Sequence, residues 1–339
     1  MLRRLSFIRD RPARRYPRRV DVLSDVIAVM RTGQPRSARV AWHAPWAQQF
    51  ASMPGSAGFQ VILQGRCWLV QAGSEPVALS TGDVVFRPHG RGHVLVDSPA
   101  TPATGPACDP DAQPTQHRHD SDTDTDTDRQ ATIILCGGYQ FDTARTHPLL
   151  PDLPELIHLP AHLGRHPQLH ATVQLLGDEL AHPRLGTDAI VPALLDTLLL
   201  HILRAWLDGQ PVRAADTGWA AALNDGPIAA ALNAMHRDPA RPWTVAALAA
   251  EAGLSRTPFA RRFTALLGQP PLTYLTWWRM TTAARLLQES DAALNVIATK
   301  VGYTSEFAFG NAFKRHHAVA PGRYRRSGGG LVPARTAHE

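Results

Sequence analysis

Apolar residues change their spacing along the chain, and each change marks a different kind of structure. Asp21-Val-Leu-Ser-Asp-Val-Ile-Ala-Val-Met30 has the spacing of an amphipathic helix. From Ser37 to Asp97 the pattern becomes short strand-like runs broken by Gly and Pro: Ala38–Trp42, Phe59–Leu63, Cys67–Gln71, Pro76–Leu79, Asp83–Arg87 and His93–Asp97. Ile133–Cys136 resumes a strand that should pair back with them. Strands this short and close predict a small antiparallel barrel or jelly roll. His147–Leu159 is punctuated by prolines and too broken for a helix, whereas Leu169–Leu180 and Asp188–Asp208 read as two helices. The second is apolar on more than one face, through Ile190, Leu194, Leu195, Leu198, Leu199, Ile202, Leu203 and Trp206, so something must cover it. Residues 209–224 read as a linker, and Asp225–Arg237, with Ile228, Leu232 and Met235 on one face, opens a wholly helical end.

Within that end one short pattern occurs twice. Val245-Ala-Ala-Leu-Ala249-Ala-Glu-Ala-Gly253-Leu254-Ser255 and Leu294-Asn-Val-Ile-Ala298-Thr-Lys-Val-Gly302-Tyr303-Thr304 each place a small residue four positions before a glycine. Two helices crossing steeply over a turn of about 3–4 residues need a side chain no larger than Ala where they touch, and a Gly free to take positive φ at the bend. Each copy is followed by an aromatic i, i+4 pair, Phe259 and Phe263, then Phe309 and Phe313. The pattern therefore predicts two helix-turn-helix units turning at Ala249 and Gly253, and at Ala298 and Gly302. Between them Leu272–Ser290, with Tyr274, Leu275, Trp278, Ala283, Leu286 and Leu287 available for a buried stripe, predicts one long helix that fixes their spacing. If that helix holds both second helices on one side, they reach successive major-groove segments roughly 34 Å apart.

Pro271-Leu-Thr-Tyr-Leu-Thr-Trp-Trp-Arg-Met280, Ala284-Arg-Leu-Leu287, Val301-Gly-Tyr303, Ser305-Glu-Phe-Ala-Phe309, Ala312-Phe-Lys-Arg315 and Pro321-Gly-Arg-Tyr-Arg325 resemble the DNA-binding domain of the AraC/XylS family of bacterial transcriptional regulators. The resemblance implies that Thr257, Ala260 and Arg261 in the first recognition helix, and Glu306, Phe307, Gly310 and Asn311 in the second, contact bases. Chemically, Arg261 can pair with guanine and Asn311 with adenine in bidentate fashion, each giving about 1–3 kcal/mol of discrimination. Ala260 and Gly310 offer at most a methyl contact or close approach, so the second helix is poorer in donors and positions more than it specifies. For Arg256, Arg262, Lys314 and Arg315 phosphate contact is the default. The bland alternative for Arg261 is a solvated helix face.

Upstream, Gly82-Asp-Val-Val-Phe-Arg-Pro88-His-Gly90-Arg-Gly-His93 has the spacing Gly-x5-Pro-x-Gly-x2-His. With Gln64-Gly-Arg-Cys-Trp68 and Cys136-Gly-Gly-Tyr-Gln-Phe-Asp142 it resembles the cupin sensor domain found ahead of AraC-type DNA-binding domains. That resemblance implies a small-molecule effector held in the barrel, with His93, Trp68 and His43 as candidate pocket residues. Part of the apolar helix of residues 188–208 can close the barrel, and the resemblance implies a homodimer whose interface covers the remainder; burial inside one subunit is the alternative. Catalytic cupins bind a metal through two further His and a Glu. Counting back from Gly65, those ligands fall at Ser52, Pro54 and Gly58, none of which can ligate, so no metal and no cofactor is expected and His93 reads as a pocket or core histidine.

Charge sharpens the division. The net charge of +6 over 339 residues splits into +7 for residues 1–19, −8 for residues 20–224 and +7 for residues 225–326. A basic unit beside an acidic one is the footprint of a nucleic-acid reader joined to something that is not one. The Arg-dense residues 1–19 read either as a disordered arm touching phosphate or as a segment preceding a translation start near Val20. Residues 98–130, Pro/Ala/Thr-rich and then an Asp-Thr run with His117 and His119, read as a disordered insertion. Three cysteines with no Cys-x-x-Cys argue against a disulfide framework or structural zinc and suit a reducing cytoplasm. No apolar run reaches bilayer length, and no signal peptide is expected.

The expected fold is therefore α+β. It comprises a basic arm (1–20), a cupin-like antiparallel β-barrel (21–165), a helical dimerisation segment (166–208), a linker (209–224), an all-α domain with two helix-turn-helix units (225–326) and a tail (327–339). The expected function is a non-enzymatic regulator partnering promoter DNA and RNA polymerase. Two alternatives stay open: a redox-responsive regulator using Cys67 and Cys136, and a cupin enzyme with a helical tail.

Overall fold

The computed structural model describes residues 21–105, 107–108, 131–141, 147–161, 166–210 and 217–326. The basic arm, most of the expected insertion with His117 and His119, and the tail lie outside the described residues. The chain opens with α1 (Val22–Met30), where the Asp21 carboxylate accepts from the Ser24 N–H at 2.9 Å. Strands follow: β1 (Arg31–Trp42), β2 (Ala47–Phe50), β3 (Ser56–Gln64), β4 (Arg66–Val70), β5 (Val77–Ser80), β6 (Val84–Arg87), β7 (His93–Val96), β8 (Ala107–Cys108) and β9 (Thr132–Phe141). After α2 (Leu149–Asp152), β10 (Ile157–Leu159) completes them. They form two five-stranded sheets, β1-β9-β3-β6-β10 and β5-β4-β7-β2-β8.

Strand alternation divides the side chains between two cores. Gln60 lies opposite both Cys136 and Val85, so all three share the inner face of the first sheet. Ile62, Val85 and Ile134 from that face meet Cys67, Leu69 and Leu95 from the second sheet. Phe59, Val61, Phe86 and Leu135 turn outward onto the helices.

Three expectations about this half need correction. Residues 98–105 and 107–108 are held in place rather than structureless. The Gln49 amide donates to the Ala103 carbonyl at 2.7 Å, and β8 pairs in parallel with β2, whose open edge supplies the backbone partners. The Pro-rich connector contains α2 and then β10, which extends the first sheet beside β6. The helix α4 (Thr187–Asp208), antiparallel neighbour to α3 (Pro167–Ala181), is by length and composition sufficient to cross a bilayer. In the fold its Leu195, Leu198, Leu199, Ile202 and Leu203 are buried within the chain.

The remaining helices are α5 (Trp219–Asn224), α6 (Gly226–Arg237), α7 (Val245–Glu251), α8 (Arg256–Leu267), α9 (Pro271–Glu289), α10 (Leu294–Lys300), α11 (Glu306–His317) and α12 (Pro321–Arg326). The expected linker thus ends early, because Trp219 is only 2% exposed and its N–H donates to Asp152 at 2.9 Å. The long α9 is shared between two cores. Tyr274 and Leu275 join the first unit, while Met280, Ala283, Ala284 and Leu287 join the second. The first unit's core is continuous with that of α1, α3, α4 and the outer face of the first sheet, whereas the second unit has its own.

A polar chain crosses the contact between the two halves. His147 Nδ1 accepts from the Leu149 N–H at 3.0 Å, which leaves the proton on Nε2 to donate to the Tyr274 hydroxyl at 3.3 Å. Tyr274 then donates to His236 Nε2 at 2.6 Å, and His236 Nδ1 donates to Asp25 at 3.2 Å. The tautomers follow from the network, each group having one role left to fill.

Candidate nucleic-acid interface

Both turns close in the same way. Leu254 N–H donates to the Ala249 carbonyl at 2.9 Å and Gly253 N–H to Ala250 at 3.1 Å; Tyr303 and Gly302 donate to Ala298 and Thr299 at the same two distances. This paired 6→1 and 5→2 bonding is a Schellman motif, which needs a left-handed residue, and Gly253 and Gly302 supply φ of 64° and 82°. Ala249 and Ala298 are buried where the helices meet, as the spacing requires.

Each second helix packs inward by its aromatic pair, Phe259 and Phe263 on α8 and Phe309 and Phe313 on α11. The opposite faces are open to solvent. On α8 a shallow depression is lined by Arg256, Thr257, Ala260, Arg261, Thr264 and Ala265, bringing together the expected base-reading residues and adding Thr264 and Ala265. On α11 Glu306, Phe307, Asn311, Lys314 and Arg315 are exposed, with Gly310 half-buried among them. Phe307, at 81% exposure, has no packing role in the folded chain. The Ser305 hydroxyl caps α11 by accepting from Ala308 N–H at 3.1 Å.

Arg262 has a partner within the fold. Its Nε donates to Asp225 at 2.6 Å, and the same carboxylate caps α6 by accepting from Ile228 N–H at 3.1 Å. Arg262 thus ties α8 to the start of α6 while its side chain stays half-exposed. Spacing could not reveal this, because the partner lies on another helix.

In the barrel, only one of the three expected pocket residues faces inward. His93 shares the inner face of the second sheet with Leu95 and stacks on Phe50 at 4.5 Å. Trp68 pairs with Val96, one position out of step with Cys67 and Leu69, and so faces the other side of the sheet. His43 is exposed in the β1–β2 turn. Sequence reading passed over Gln60, Arg87 and Trp46, which are buried in the barrel. Among the described residues no three His, Cys, Asp or Glu side chains gather as a metal site. Burial pushes the Cys67 thiol up to about 12 and raises Cys136 further, which keeps both out of the reactive thiolate form.

A cupin family profile matches residues 21–208 and a helix-turn-helix domain profile matches residues 248–327. An AraC-like transcription regulator of Streptomyces lividans is 36% identical over 308 residues, covering 91% of this chain and 98% of its own length. The chain belongs to the AraC-like family of transcription regulators. A Streptomyces antibioticus relative of the same description is also 36% identical, over 91% of this chain and 99% of its own. The solved DNA-binding domain of AdpA bound to target DNA is 34% identical, covering 30% of this chain and 91% of that one at a TM-score of 0.29.

In this AraC-like regulator the helix-turn-helix match takes in both turns, and the cupin match runs to the end of α4, so α3 and α4 go with the barrel. The regulator carries an AraC-type DNA-binding domain, which makes DNA its partner.

Proposed function

We propose that the protein is a cytoplasmic, effector-controlled regulator that binds promoter DNA sequence-specifically as a homodimer and works through RNA polymerase. The observation that carries this is the shared construction of α8 and α11, each anchored by a buried Phe pair while its polar face stays open. In this reading Thr257, Ala260 and Arg261 of α8 and Glu306, Phe307, Gly310 and Asn311 of α11 meet bases. Arg256, Lys314 and Arg315 meet phosphates. The second copy is placed at the α3–α4 hairpin, where Leu175, Leu185 and Ile190 are exposed.

The effector acts through its differential affinity for arrangements that favour or disfavour promoter occupancy. The contact from His147 and Asp25 to Tyr274 and His236 is the physical path by which the barrel can bias the reading domain.

The test sequences the genomic fragments retained by the purified full chain, then measures their affinity with two variants. Arg261→Ala should cost about 1–3 kcal/mol on the selected site and relax preference at one base pair. Lys314→Ala should weaken all duplexes alike and reduce the salt slope by about 1. Equal affinity of the unmodified protein for random and genomic fragments at physiological salt would remove the proposal.

A further inference from the structure

The barrel interior holds polar chemistry that its own walls leave unanswered. Arg87, at the end of β6, is 5% exposed; one terminal nitrogen donates to the Arg91 carbonyl, and Nε has no partner. His93 is as deeply buried, and neither ring nitrogen is hydrogen-bonded. Gln60 Oε1 is in the same condition. Register and packing bring these groups to one space. Arg87 lies opposite Gly58, two positions from Gln60 on the inner face of β3, and its charge reaches His93.

Arg87 remains a cation at neutral pH, burial having lowered it only to about 10. Burial and the nearby Arg87 charge hold His93 neutral down to about 2. Neighbouring carboxylates do not compensate: Asp83 is taken by His158 at 3.2 Å and by the Ala161 N–H at 2.8 Å, and Glu155 by Arg91 at 2.8 Å. A buried cation without a counter-charge is among the costliest arrangements in a protein, and buried polar atoms without partners call for a specific explanation.

We propose that this cluster is a binding site for a small apolar carboxylate. Arg87 donates to the carboxylate oxygens, neutral His93 adds one donor, and Phe50, stacked on His93, covers the carbon body. A single cation among apolar walls matches a monocarboxylate and not a doubly charged phosphate. The inference rests on the reading that the barrel holds the effector, and it gives that effector a chemical class. The site is mechanically connected to the other half of the molecule. Arg87 holds the loop at Arg91, Arg91 pairs with Glu155, and His89 bonds the Leu153 carbonyl at 2.9 Å, next to the Asp152 that anchors Trp219.

The test is calorimetric titration of the full chain with benzoate and hexanoate against benzamide and hexanamide, with affinity for retained promoter fragments read in parallel. The acids should bind about tenfold or more tighter than their amides, and Arg87→Gln should abolish that difference. Equal binding of acid and amide, no acid binding at millimolar concentration, or an acid preference that survives Arg87→Gln overturns the site. Should Arg87→Gln fail to fold, His93→Phe removes one donor and must still weaken the acids; unchanged affinity overturns the site. Acid binding that leaves DNA affinity untouched keeps the site and removes its effector role. A neutral ligand that shifts DNA affinity keeps the effector role and removes the carboxylate class.

Discussion

Gly253 and Gly302 occupy equivalent turns, yet their surroundings differ. A Cβ on Gly253 would meet nothing within 4 Å, so Gly253→Ala carries only the left-handed backbone penalty, about 1–2 kcal/mol. A Cβ on Gly302 would come within 2.9 Å of the Ala240 carbonyl and 2.7 Å of an Arg279 terminal nitrogen. Arg279 cannot easily yield, because it donates to the carbonyls of Pro239 at 2.7 Å and Arg241 at 2.9 Å, binding the second unit to the loop before α7. Gly302→Ala is therefore expected to cost roughly twice as much as Gly253→Ala and to loosen the joint between the units. Urea unfolding of the two variants checks this, and equal shifts in midpoint would refute it.

Elements repeat the lesson at larger size. The helix α8 ends on Gly268 at φ 69°, and α11 ends on Ala318 at φ 60°, a residue that pays for its side chain in that conformation. Ala318→Gly should stabilise the second unit by about 0.5–1 kcal/mol, net of the greater freedom glycine gives the unfolded chain. The readout is amide exchange along α11, with slower exchange expected; Gly268→Ala should speed exchange along α8. Such turns were legible in the sequence because Ala-x-x-x-Gly is dictated by local backbone geometry. The barrel's longer apolar strands were legible for the same reason, through alternation. What stayed hidden depends on distant partners. The polar strand β2 is set by pairing with β7, α5 is set by Trp219 finding Asp152, and Arg262 is paired with Asp225 of another helix. The face taken by Trp68 depended on a one-residue register that cysteine and tryptophan side by side could not disclose.

Across the whole molecule the two halves meet through titratable groups. Burial lowers His147 well below the ordinary 6.5, aided by His236, and burial lowers His236, partly offset by its hydrogen bond to Asp25. Tyr274, raised by burial, stays a protonated phenol throughout. Both imidazoles are needed neutral: His147 accepts at Nδ1 and His236 accepts at Nε2, and protonation removes each acceptor. The unfolded chain takes up these protons as pH falls below about 6.5, while the folded chain resists until its own lower values are reached. Stability from the contact is therefore complete above about 6.5 and declines beneath it, by up to about 1.4 kcal/mol per pH unit for each histidine. Thermal midpoints of the full chain from about pH 8 to about pH 5 should fall along the acid limb. His236→Gln removes one titrating acceptor, so its acid limb should be shallower than that of the unmodified protein even if its midpoint at neutral pH is lower. Parallel limbs would mean that the acid sensitivity arises elsewhere, with buried His93 the next group to test.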